Sequence, residues 1–492
     1  MTKTSGKKNM TEGTMNRKTV IENQITESGS CIKGIKSLKS AKTTSDESFE
    51  LNTRVGFVNL GCAKNLINTE QMMFLLKQAG FELTYDVEGV DVVVINTCAF
   101  IENAKIEAIE TILEIGSMKV EGKVGRLVVA GCLAERYKDE VQKEMPEIDA
   151  VVGTGAFDSI VTAVNNVLSG EGETSFYCSI DAPVSETERV ITTSPLWAYL
   201  KVAEGCDNRC AYCVIPDIRG RFRSRPIENI VGEAAGLAKS GTKELILVAQ
   251  DVTRYGLDMY GERRLPDLLR ELCSIDELLW IRLHYLYPDE IDDNLIDVIA
   301  EHDKILKYMD IPIQHISDTI LKKMHRRGTS EDIRSLIRRL RQRIPGVVLR
   351  TSLITGLPGE GEIEFEELCE FLKEAKIERA GVFAYSPEEG TLAAQMDRPD
   401  SEIAIHRAEV IAEVQCRIMD EFNNSRVGSV TKVLIEGRIE QGYYARSFAE
   451  SPDIDGYITV TGNVGSKNEP VDVIITRTDN DGSLNAIAVH CD

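Results

Sequence analysis

The sequence lacks the features that mark several classes of protein. No unbroken apolar run in its 492 residues is long enough to span a bilayer, which argues against a membrane protein. It also lacks a secretory apolar segment, so its twelve cysteines are expected to be reduced thiols available to metals in a cytoplasmic protein. Disulfides are the weaker interpretation.

The sequence also has few basic residues relative to acidic ones. The chain has 57 Lys and Arg against 79 Asp and Glu, for a net charge of -22. An acidic surface repels phosphate, which disfavours a protein whose main task is to wrap nucleic acid. A basic protein partner fits this charge better.

Residues 1–52 lack apolar periodicity and are rich in Lys, Thr, Ser, Asn and Gly. This composition predicts a disordered polar extension outside the fold. The segment is basic, but Arg17 is its only arginine, which disfavours a mitochondrial transit peptide. The rest of the chain is too long for one ordinary core and predicts several domains.

Residues 53–170 alternate short apolar runs with amphipathic stretches, which predicts a doubly wound α/β domain. Three of its strands end at a cysteine, in VGFVNLGC, DVVVINTC and RLVVAGC; these are Cys62, Cys98 and Cys132. Because the carboxyl ends of parallel strands share one sheet edge, we expect the three thiols to lie together. One such cysteine alone would be read as a small buried apolar side chain, but three at equivalent strand ends favour a set of ligands.

The remaining sequence divides into three parts. Residues 171–194 contain few large apolar side chains and predict a linker. Residues 195–424 contain six strand candidates separated by helical stretches, which predicts a partial (β/α)6 barrel with functional residues at the strand C-termini. Residues 425–492 have short alternating runs separated by Gly and Asn, which predicts a small antiparallel β-barrel.

The first barrel strand leads into EGCDNRCAYCVIP, where Cys206, Cys210 and Cys213 have the spacing C-x3-C-x2-C. A loop with this spacing can place three thiolates on one face of a 4Fe-4S cube, leaving one iron without a protein ligand. An open metal position can bind a small molecule. A zinc knuckle is the alternative, but structural zinc takes four protein ligands and no nearby Cys or His completes this set.

This motif, with the aromatic Tyr212, resembles that of the radical S-adenosylmethionine (SAM) superfamily. The resemblance implies that the open iron chelates the amino and carboxylate groups of SAM, and that reductive cleavage yields a 5'-deoxyadenosyl radical. It implies that Ile354 and Gly356, in SLITGLPGE, lie beside the SAM adenine. Gln250, after the second barrel strand, is expected to point into the barrel mouth as a further cofactor-binding residue.

The triad at Cys62, Cys98 and Cys132 narrows the resemblance to the methylthiotransferases, which have a second 4Fe-4S cluster in an N-terminal domain and a C-terminal TRAM barrel. The match runs from about Arg54 to the C-terminus and is specific in NLGCAKNLINTE, INTCAFIENAK and GRFRSRP. It implies two 4Fe-4S clusters, with sulfur held or methylated at the auxiliary one. It also implies an electron donor and a sulfur donor as partners.

Four arginines follow the cluster loop in IRGRFRSRP: Arg219, Arg221, Arg223 and Arg225. They could meet an anionic group or the cofactor carboxylate, or they could form one solvated strand face. The sequence leaves both interpretations open. We assign no catalytic role to His315, because a lone histidine is usually a satisfied hydrogen-bonding group.

Two branches of the family differ in substrate: an adenosine of transfer RNA, or an aspartate of small-ribosomal-subunit protein number twelve. The stretches LVAQDVTRYG, LHYLYPDEI, KYMDIPIQHISDTILKKMHRRG and YSPEEGTLAA resemble the ribosomal-protein branch, known as RimO. Glu388 and Glu389 lie where the transfer RNA branch tends to carry an arginine, and the resemblance implies that they bind substrate. It implies transfer of a methylthio group to the aspartate β-carbon. Methylthiolation of transfer RNA is the alternative, and a non-catalytic iron-sulfur sensor or scaffold is the second.

Charge provides a separate argument about the substrate. From Ser425 onward there are six basic and ten acidic residues. A TRAM barrel that holds RNA needs a basic face, whereas an acidic one suits a basic ribosomal protein. The alternative is a merely solvated surface. If each domain has its own core, a chain ending near Asn424 should keep both clusters.

Overall fold

The computed structural model describes residues 53–465, 469–479 and 482–489. The predicted polar extension, residues 1–52, lies outside the described residues. Within these ranges, no helix is both long and apolar enough to cross a bilayer. The α-helices, in chain order, are α1 Ala63–Gln78, α2 Glu102–Val120, α3 Cys132–Tyr137, α4 Asp139–Glu144, α5 Ile160–Ser169, α6 Ile215–Arg219, α7 Ile227–Lys239, α8 Leu257–Tyr260, α9 Leu265–Cys273, α10 Asp293–Glu301, α11 Asp318–Lys323, α12 Ser330–Arg343, α13 Glu362–Ala375 and α14 Ser401–Ser425.

The N-terminal sheet has six parallel strands in the order β2-β1-β3-β4-β5-β6. Its central strand, VDVVVINT, is apolar on both faces because a separate apolar core covers each side of the sheet. The predicted doubly wound α/β fold is confirmed. The strands are β1 Arg54–Asn59, β2 Glu82–Thr84, β3 Val90–Thr97, β4 Val124–Gly131, β5 Ala150–Val152 and β6 Ser175–Phe176.

The edge strand β6 lies within the stretch predicted as a linker. Its two residues pair with β5, and Phe176 is buried in the core on one face of the sheet. Farther along the same stretch, Arg189 pairs with Glu70 of α1 at 2.6 Å and with Glu233 of α7 at 2.7 Å. Such a short strand has no periodicity that a sequence pattern can reveal.

The second sheet also has six parallel strands, in the order β14-β13-β12-β11-β10-β7. The sheet is open, and helices pack on its outer face, so the predicted partial barrel is confirmed. A short pair, β8 with β9, frames the loop after β7. The strands are β7 Trp197–Lys201, β8 Ala203–Glu204, β9 Arg223–Ser224, β10 Glu244–Val248, β11 Trp280–Leu283, β12 Ile305–Asp310, β13 Val348–Thr355 and β14 Arg379–Ala384.

The C-terminal strands form a closed barrel in the order β15-β16-β17-β19-β18. The predicted small barrel is confirmed, with one difference in detail: β19 lies between β17 and β18, and it pairs with β17 in parallel. The other pairings are antiparallel. The strands are β15 Val430–Ile439, β16 Gly442–Arg446, β17 Ile458–Thr461, β18 Val471–Thr478 and β19 Leu484–Ala488.

Two helices interlock the N-terminal domain with the (β/α)6 barrel. Helix α1 packs Ile67 against the inner face of the barrel sheet, on Tyr199 and Val248. In the opposite direction, the loop and helix after Cys213 insert Val214 and Ile218 into the core of the N-terminal domain. The segments that follow Cys62 and Cys213 are therefore packed against each other's domains.

Candidate active site

Three thiols lie where adjacent strands of the N-terminal sheet end. Cys62 caps α1 after β1, Cys98 directly follows β3, and Cys132 begins α3 directly after β4. Gly61, with φ +98°, lets the first two approach each other, because a Cβ at this position would lie 2.7 Å from the Cβ of Cys98. The three cysteines therefore share one sheet edge.

Burial and mutual repulsion disfavour the charged forms of Cys98 and Cys132, whereas nearby cations favour that of Cys62. Burial, with the neighbouring Cys132 and Cys62, raises the pKa of Cys98 to about 12. Burial also raises the pKa of Cys132, against the opposing effect of Arg219. At Cys62 burial acts in the same direction, but Lys64 and Arg219 help to outweigh it, so its pKa is lowered. Three thiolates at this edge need nearby positive charge, and a bound metal group would supply it.

Arg219 is the cation in contact with this N-terminal triad. It ends α6, the helix that follows Cys213, and is 3% exposed. Its Nη2 lies 3.3 Å from the Sγ of Cys132. The guanidinium also donates hydrogen bonds to the side-chain oxygens of Asn65 and, at 2.8 Å, Asn68. The Arg219 side chain thus connects the segment that carries the second triad, Cys206, Cys210 and Cys213, to the thiols of the first triad.

The second triad occupies the loop between β8 and α6. Gly205, with φ +78°, starts this loop; a Cβ there would lie 1.9 Å from the carbonyl oxygen of Arg221. The Cys213 backbone N–H donates to the Cys210 carbonyl at 3.0 Å, which turns the chain. Burial raises the pKa of Cys206 to about 11, and burial with the other two thiols nearby raises that of Cys213.

A buried arginine also accompanies this triad. The Nη1 of Arg326 lies 3.9 Å from the Sγ of Cys210. The same guanidinium stacks on the ring of Tyr287 at 4.2 Å from its centroid and donates to the Pro312 carbonyl. Each triad therefore has one buried guanidinium beside one of its sulfurs, which suits an anionic thiolate-bound group.

Each triad supplies three free thiols, the kind of ligand that an iron-sulfur cluster takes from a protein. Across the described part of the chain, no three His, Cys, Asp or Glu side chains are arranged to hold one ion. A cube takes each thiolate on a different iron and so needs more widely spaced sulfurs than a zinc ion does. Three thiols beside a buried guanidinium therefore fit a cluster at each triad.

Three of the four predicted cofactor-binding residues lie in one region. Tyr212 and Ile354 pack in the same apolar cluster, which includes Tyr385. Gly356 lines a cleft of about 540 Å³ beside Tyr385, and a Cβ there would collide with Ala404 of α14 at 2.2 Å. The hydroxyl of Tyr385 is buried without a hydrogen-bond partner in the described residues, which fits a polar cofactor in this space.

Gln250, the fourth, belongs to a polar group between the two triads. Its amide donates to Glu204 at 2.8 Å, and Glu204 also pairs with Lys201 at 3.1 Å and Arg219 at 3.5 Å. Burial opposes ionisation of Glu204, but these two cations lower its pKa to about 2. Sequence reasoning missed Glu204, Lys201 and also Lys64, although Glu204 and Lys64 each stand two residues from a cysteine in the quoted motifs.

The four arginines of IRGRFRSRP do not form one strand face. Arg219 is buried, as described above, and Arg221 is exposed. Arg223 is half-buried and donates to the Arg219 and Arg221 carbonyls. Arg225 is buried between Glu186 at 2.5 Å and Glu233 at 2.7 Å. Of the four, Arg219 alone contacts a cluster-loop sulfur.

Glu388 and Glu389 have different environments. Glu388 is 2% exposed, and its carboxylate pairs with Arg136 at 2.7 Å and Lys105 at 3.1 Å, both in the N-terminal domain. Burial acts to raise the pKa of Glu388, but these partners and Ser386 lower it. The expected substrate contact does not fit Glu388, because its carboxylate is already enclosed by partners. The Glu389 side chain is exposed.

Comparison with known families gives three matches. Residues 54–153 match "Uncharacterized protein family UPF0004", residues 200–372 match "Radical SAM superfamily" and residues 427–485 match "TRAM domain". The three occur in the order that the sequence motifs predict.

Curated relatives match nearly the whole described chain. The protein named "Ribosomal protein uS12 methylthiotransferase RimO" of Lachnoclostridium phytofermentans is 48% identical over 428 residues, covering 86% of this chain and 97% of that protein. The protein of the same name from Acetivibrio thermocellus is 48% identical over 422 residues, covering 84% of this chain and 93% of its own. Among solved structures, the radical S-adenosylmethionine methyltransferase TsrM of Kitasatospora setae is 16% identical with a TM-score of 0.51, covering 68% of this chain and 77% of that one. At this identity the likeness concerns the fold alone.

Proposed function

The chain belongs to the RimO family of ribosomal protein uS12 methylthiotransferases, and on that premise we propose that it transfers a methylthio group to the β-carbon of an aspartate in uS12. The observation that carries the proposal is the contact of Arg219, from the loop of one thiol triad, with Cys132 of the other. Two triads so connected suit a reaction that joins radical chemistry to sulfur transfer.

The family uses an iron-sulfur cluster and SAM. We assign one 4Fe-4S cluster to each triad, six cysteines in all, and assign SAM to the region of Tyr212, Ile354 and Gly356. When bound, these groups supply the radical that removes hydrogen from the substrate carbon and the site at which sulfur is held.

Buried side chains fix the segments that carry the two thiol triads relative to each other. The side-chain oxygen of Asn65 accepts hydrogen bonds from the Arg219 guanidinium and from the Cys132 thiol, whose Sγ lies 3.7 Å away. The same amide donates to the Leu60 carbonyl at 3.0 Å and the Thr97 carbonyl at 2.8 Å. Asn65 thus fixes three strand ends at once, and the buried contacts exclude water from this side of the site.

The charge of the C-terminal barrel supports a protein substrate. Two of its arginines are buried: Arg426 pairs with Glu450, and Arg446 pairs with Glu244 at 2.8 Å. These arginines are therefore unavailable to a partner, but each also pairs with a buried carboxylate of the same domain, Glu450 or Glu436, so the acidic excess of four from the sequence count is unchanged. An acidic face attracts a basic ribosomal protein and repels the phosphates of transfer RNA.

The reaction needs partners beyond the substrate. We include an electron donor for the SAM-binding cluster and a sulfur donor for the auxiliary one. We place the protein in the cytoplasm, where the ribosomal protein is made and thiols stay reduced.

Mass spectrometry of cells that lack this chain tests the proposed function. The uS12 aspartate should lose its methylthio group, while methylthiolated adenosine in transfer RNA should remain. Return of the wild-type gene should restore the modification, and return of a gene with Cys206→Ala should not, because one ligand of the SAM-binding cluster is gone. Loss of the transfer RNA modification with uS12 unaffected would assign the chain to the other substrate.

A further inference from the structure

Lys64 is a buried cation beside the N-terminal triad. It stands two residues after Cys62, in the first turn of α1, and is 8% exposed. Its Nζ reaches the barrel domain, where it lies 3.5 Å from the Ala249 carbonyl and 3.6 Å from the centroid of the Tyr285 ring. The ammonium therefore lies between the auxiliary thiols and the C-terminal ends of two barrel strands.

The neighbouring cations have anionic or sulfur partners. Arg219 contacts the Cys132 sulfur and Glu204, and Lys201 pairs with Glu204 at 3.1 Å. Lys64 interacts electrostatically with the Cys62 thiol, the Tyr285 side chain and the more distant Glu204, but no carboxylate oxygen in the described residues lies within 4.0 Å of its Nζ. A buried ammonium is normally in contact with a carboxylate, so the lack of one at Lys64 among the described residues points to a carboxylate that arrives from outside the chain.

The aromatic contact orients the ammonium without neutralising it. A ring face attracts a cation but carries no net charge. Tyr285 itself has φ +60°, an uncommon conformation for a bulky residue and one found at ligand sites. The Asp310 carboxylate accepts the Tyr285 backbone N–H at 3.3 Å, which supports this conformation. The ring is thus held over Lys64 at the barrel mouth.

The geometry points to Lys64 as the residue that binds the carboxylate of the substrate aspartate, an inference that rests on the proposed function. The carbon that receives sulfur in aspartate is bonded directly to its carboxylate carbon. A cation that holds the carboxylate must therefore lie within a few bond lengths of the sulfur to be transferred. Lys64 suits this position, because it interacts electrostatically with Cys62 and its Nζ lies against Ala249 and Tyr285 of the radical-forming domain.

The rival role for Lys64 is to stabilise the thiolates or their bound cluster. That role would change the properties of the cluster but would give no preference between substrates of different charge. The two roles therefore separate in a substrate-charge experiment, in which the target aspartate of uS12 is replaced by the isosteric asparagine.

The experiment measures equilibrium binding of labelled uS12, in its aspartate and asparagine forms, to the reconstituted holoenzyme without reductant. Wild type should bind the aspartate form at least ~10-fold more tightly, as expected for a charged hydrogen-bonded pair. Lys64→Met should bind both forms alike, and Lys64→Arg should keep the preference. Lys77→Met, an exposed lysine at the other end of α1, is the matched control and should behave as wild type.

A Lys64→Met enzyme that still prefers aspartate overturns the inference. Equal affinity of wild type for the two forms also overturns it, whatever the variants do, so the result stands even if Lys64→Met loads iron poorly. Failure of wild type to methylthiolate uS12 in a separate reaction with SAM, a reductant and a sulfide source counts against the proposed function instead, which keeps the two failures distinct.

Discussion

At the residue scale, each cysteine triad is accompanied by one buried arginine that comes from a distant part of the chain. The roles of Arg219 and Arg326 depend on packing between distant segments: Arg219 meets Cys132, 87 positions away in the sequence, and Arg326 meets Cys210, 116 positions away. The sequence therefore predicts where the thiols lie but not which cation accompanies them.

Replacement of Arg219 should affect the N-terminal triad in particular. Arg219→Gln removes the positive charge beside Cys132 and leaves buried thiolates without it, so we expect bound iron to fall toward the amount that one cluster holds. Arg219→Lys should retain more iron because it keeps the charge. Iron analysis with electron paramagnetic resonance checks this, with exposed Arg221→Gln as the control. Full iron at both sites in Arg219→Gln would contradict the assigned role.

Glu388 and Glu389 should respond differently to charge reversal. Glu388→Lys leaves Arg136 and Lys105 buried beside a third cation, and breaking a buried pair costs roughly 3–5 kcal/mol, so we expect a clear loss of stability in denaturant unfolding. Glu389→Lys should leave stability unchanged and weaken uS12 binding, because that side chain is exposed. Equal stability of the two variants would count against the enclosed role of Glu388. A sequence shows two adjacent carboxylates and gives no sign that one is covered by another domain.

At the scale of elements, the connection between β16 and β17 has a position that its sequence does not indicate. This loop, residues 447–455, enters the inner face of the (β/α)6 barrel. Arg282 donates to the Phe448 carbonyl at 2.8 Å, Ser451 hydrogen-bonds His284 at 2.9 Å, and Tyr308 donates to Asp455 at 2.6 Å. SFAESPDID is polar and reads as a surface loop, yet Ser447 and Ser451 are fully buried. The polar groups of this loop form hydrogen bonds with polar side chains on the inner face of the (β/α)6 barrel. The sequence of the loop does not indicate these partners, because they lie far away in the chain.

His284 should make stability depend on pH. Burial, with Arg282 nearby, lowers its pKa to about 3, so its folded form stays neutral while the unfolded form protonates near pH 6.5. The contribution of neutral His284 to the free energy of unfolding is fully present above pH 6.5 and is lost as the pH falls toward 3. Between pH 7 and pH 5 the free energy of unfolding should fall by about 2 kcal/mol from this group. Urea unfolding of His284→Asn should show a smaller pH dependence, and exposed His406→Asn should match wild type; an unchanged slope in His284→Asn would exclude this origin.

At the scale of the whole molecule, ion pairs connect the domains more tightly than separate cores would suggest. Glu244 of the barrel pairs with both Arg282 and Arg446, and Glu450 of the C-terminal domain pairs with Arg379 and Arg426. These charges are all buried. The order and type of the domains could be predicted from strand and helix periods, because those are local. Their mutual dependence could not, because it comes from pairs far apart in the chain.

A chain that ends near Asn424 should therefore fail to behave as an independent enzyme core. Removal of the C-terminal barrel takes away the partners of Arg379 and His284 and exposes the apolar surface of Trp280, Leu306 and Val348. We expect low soluble yield and loss of iron from both sites, measured against the full chain. This revises the expectation of autonomous domains; a soluble truncated chain with full iron and normal SAM cleavage would restore it.

The direct test of the central claim is one anaerobic reaction that contains the reconstituted full chain, SAM, a reductant and a sulfide source, with uS12 and unmodified transfer RNA present together. Mass spectrometry of both products at successive times reads the outcome. We predict a methylthio group on the uS12 aspartate, formed in step with cleavage of SAM, and unchanged transfer RNA. A methylthio group on the transfer RNA adenosine with uS12 unmodified, or cleavage of SAM with neither substrate modified by fully loaded enzyme, would contradict the account.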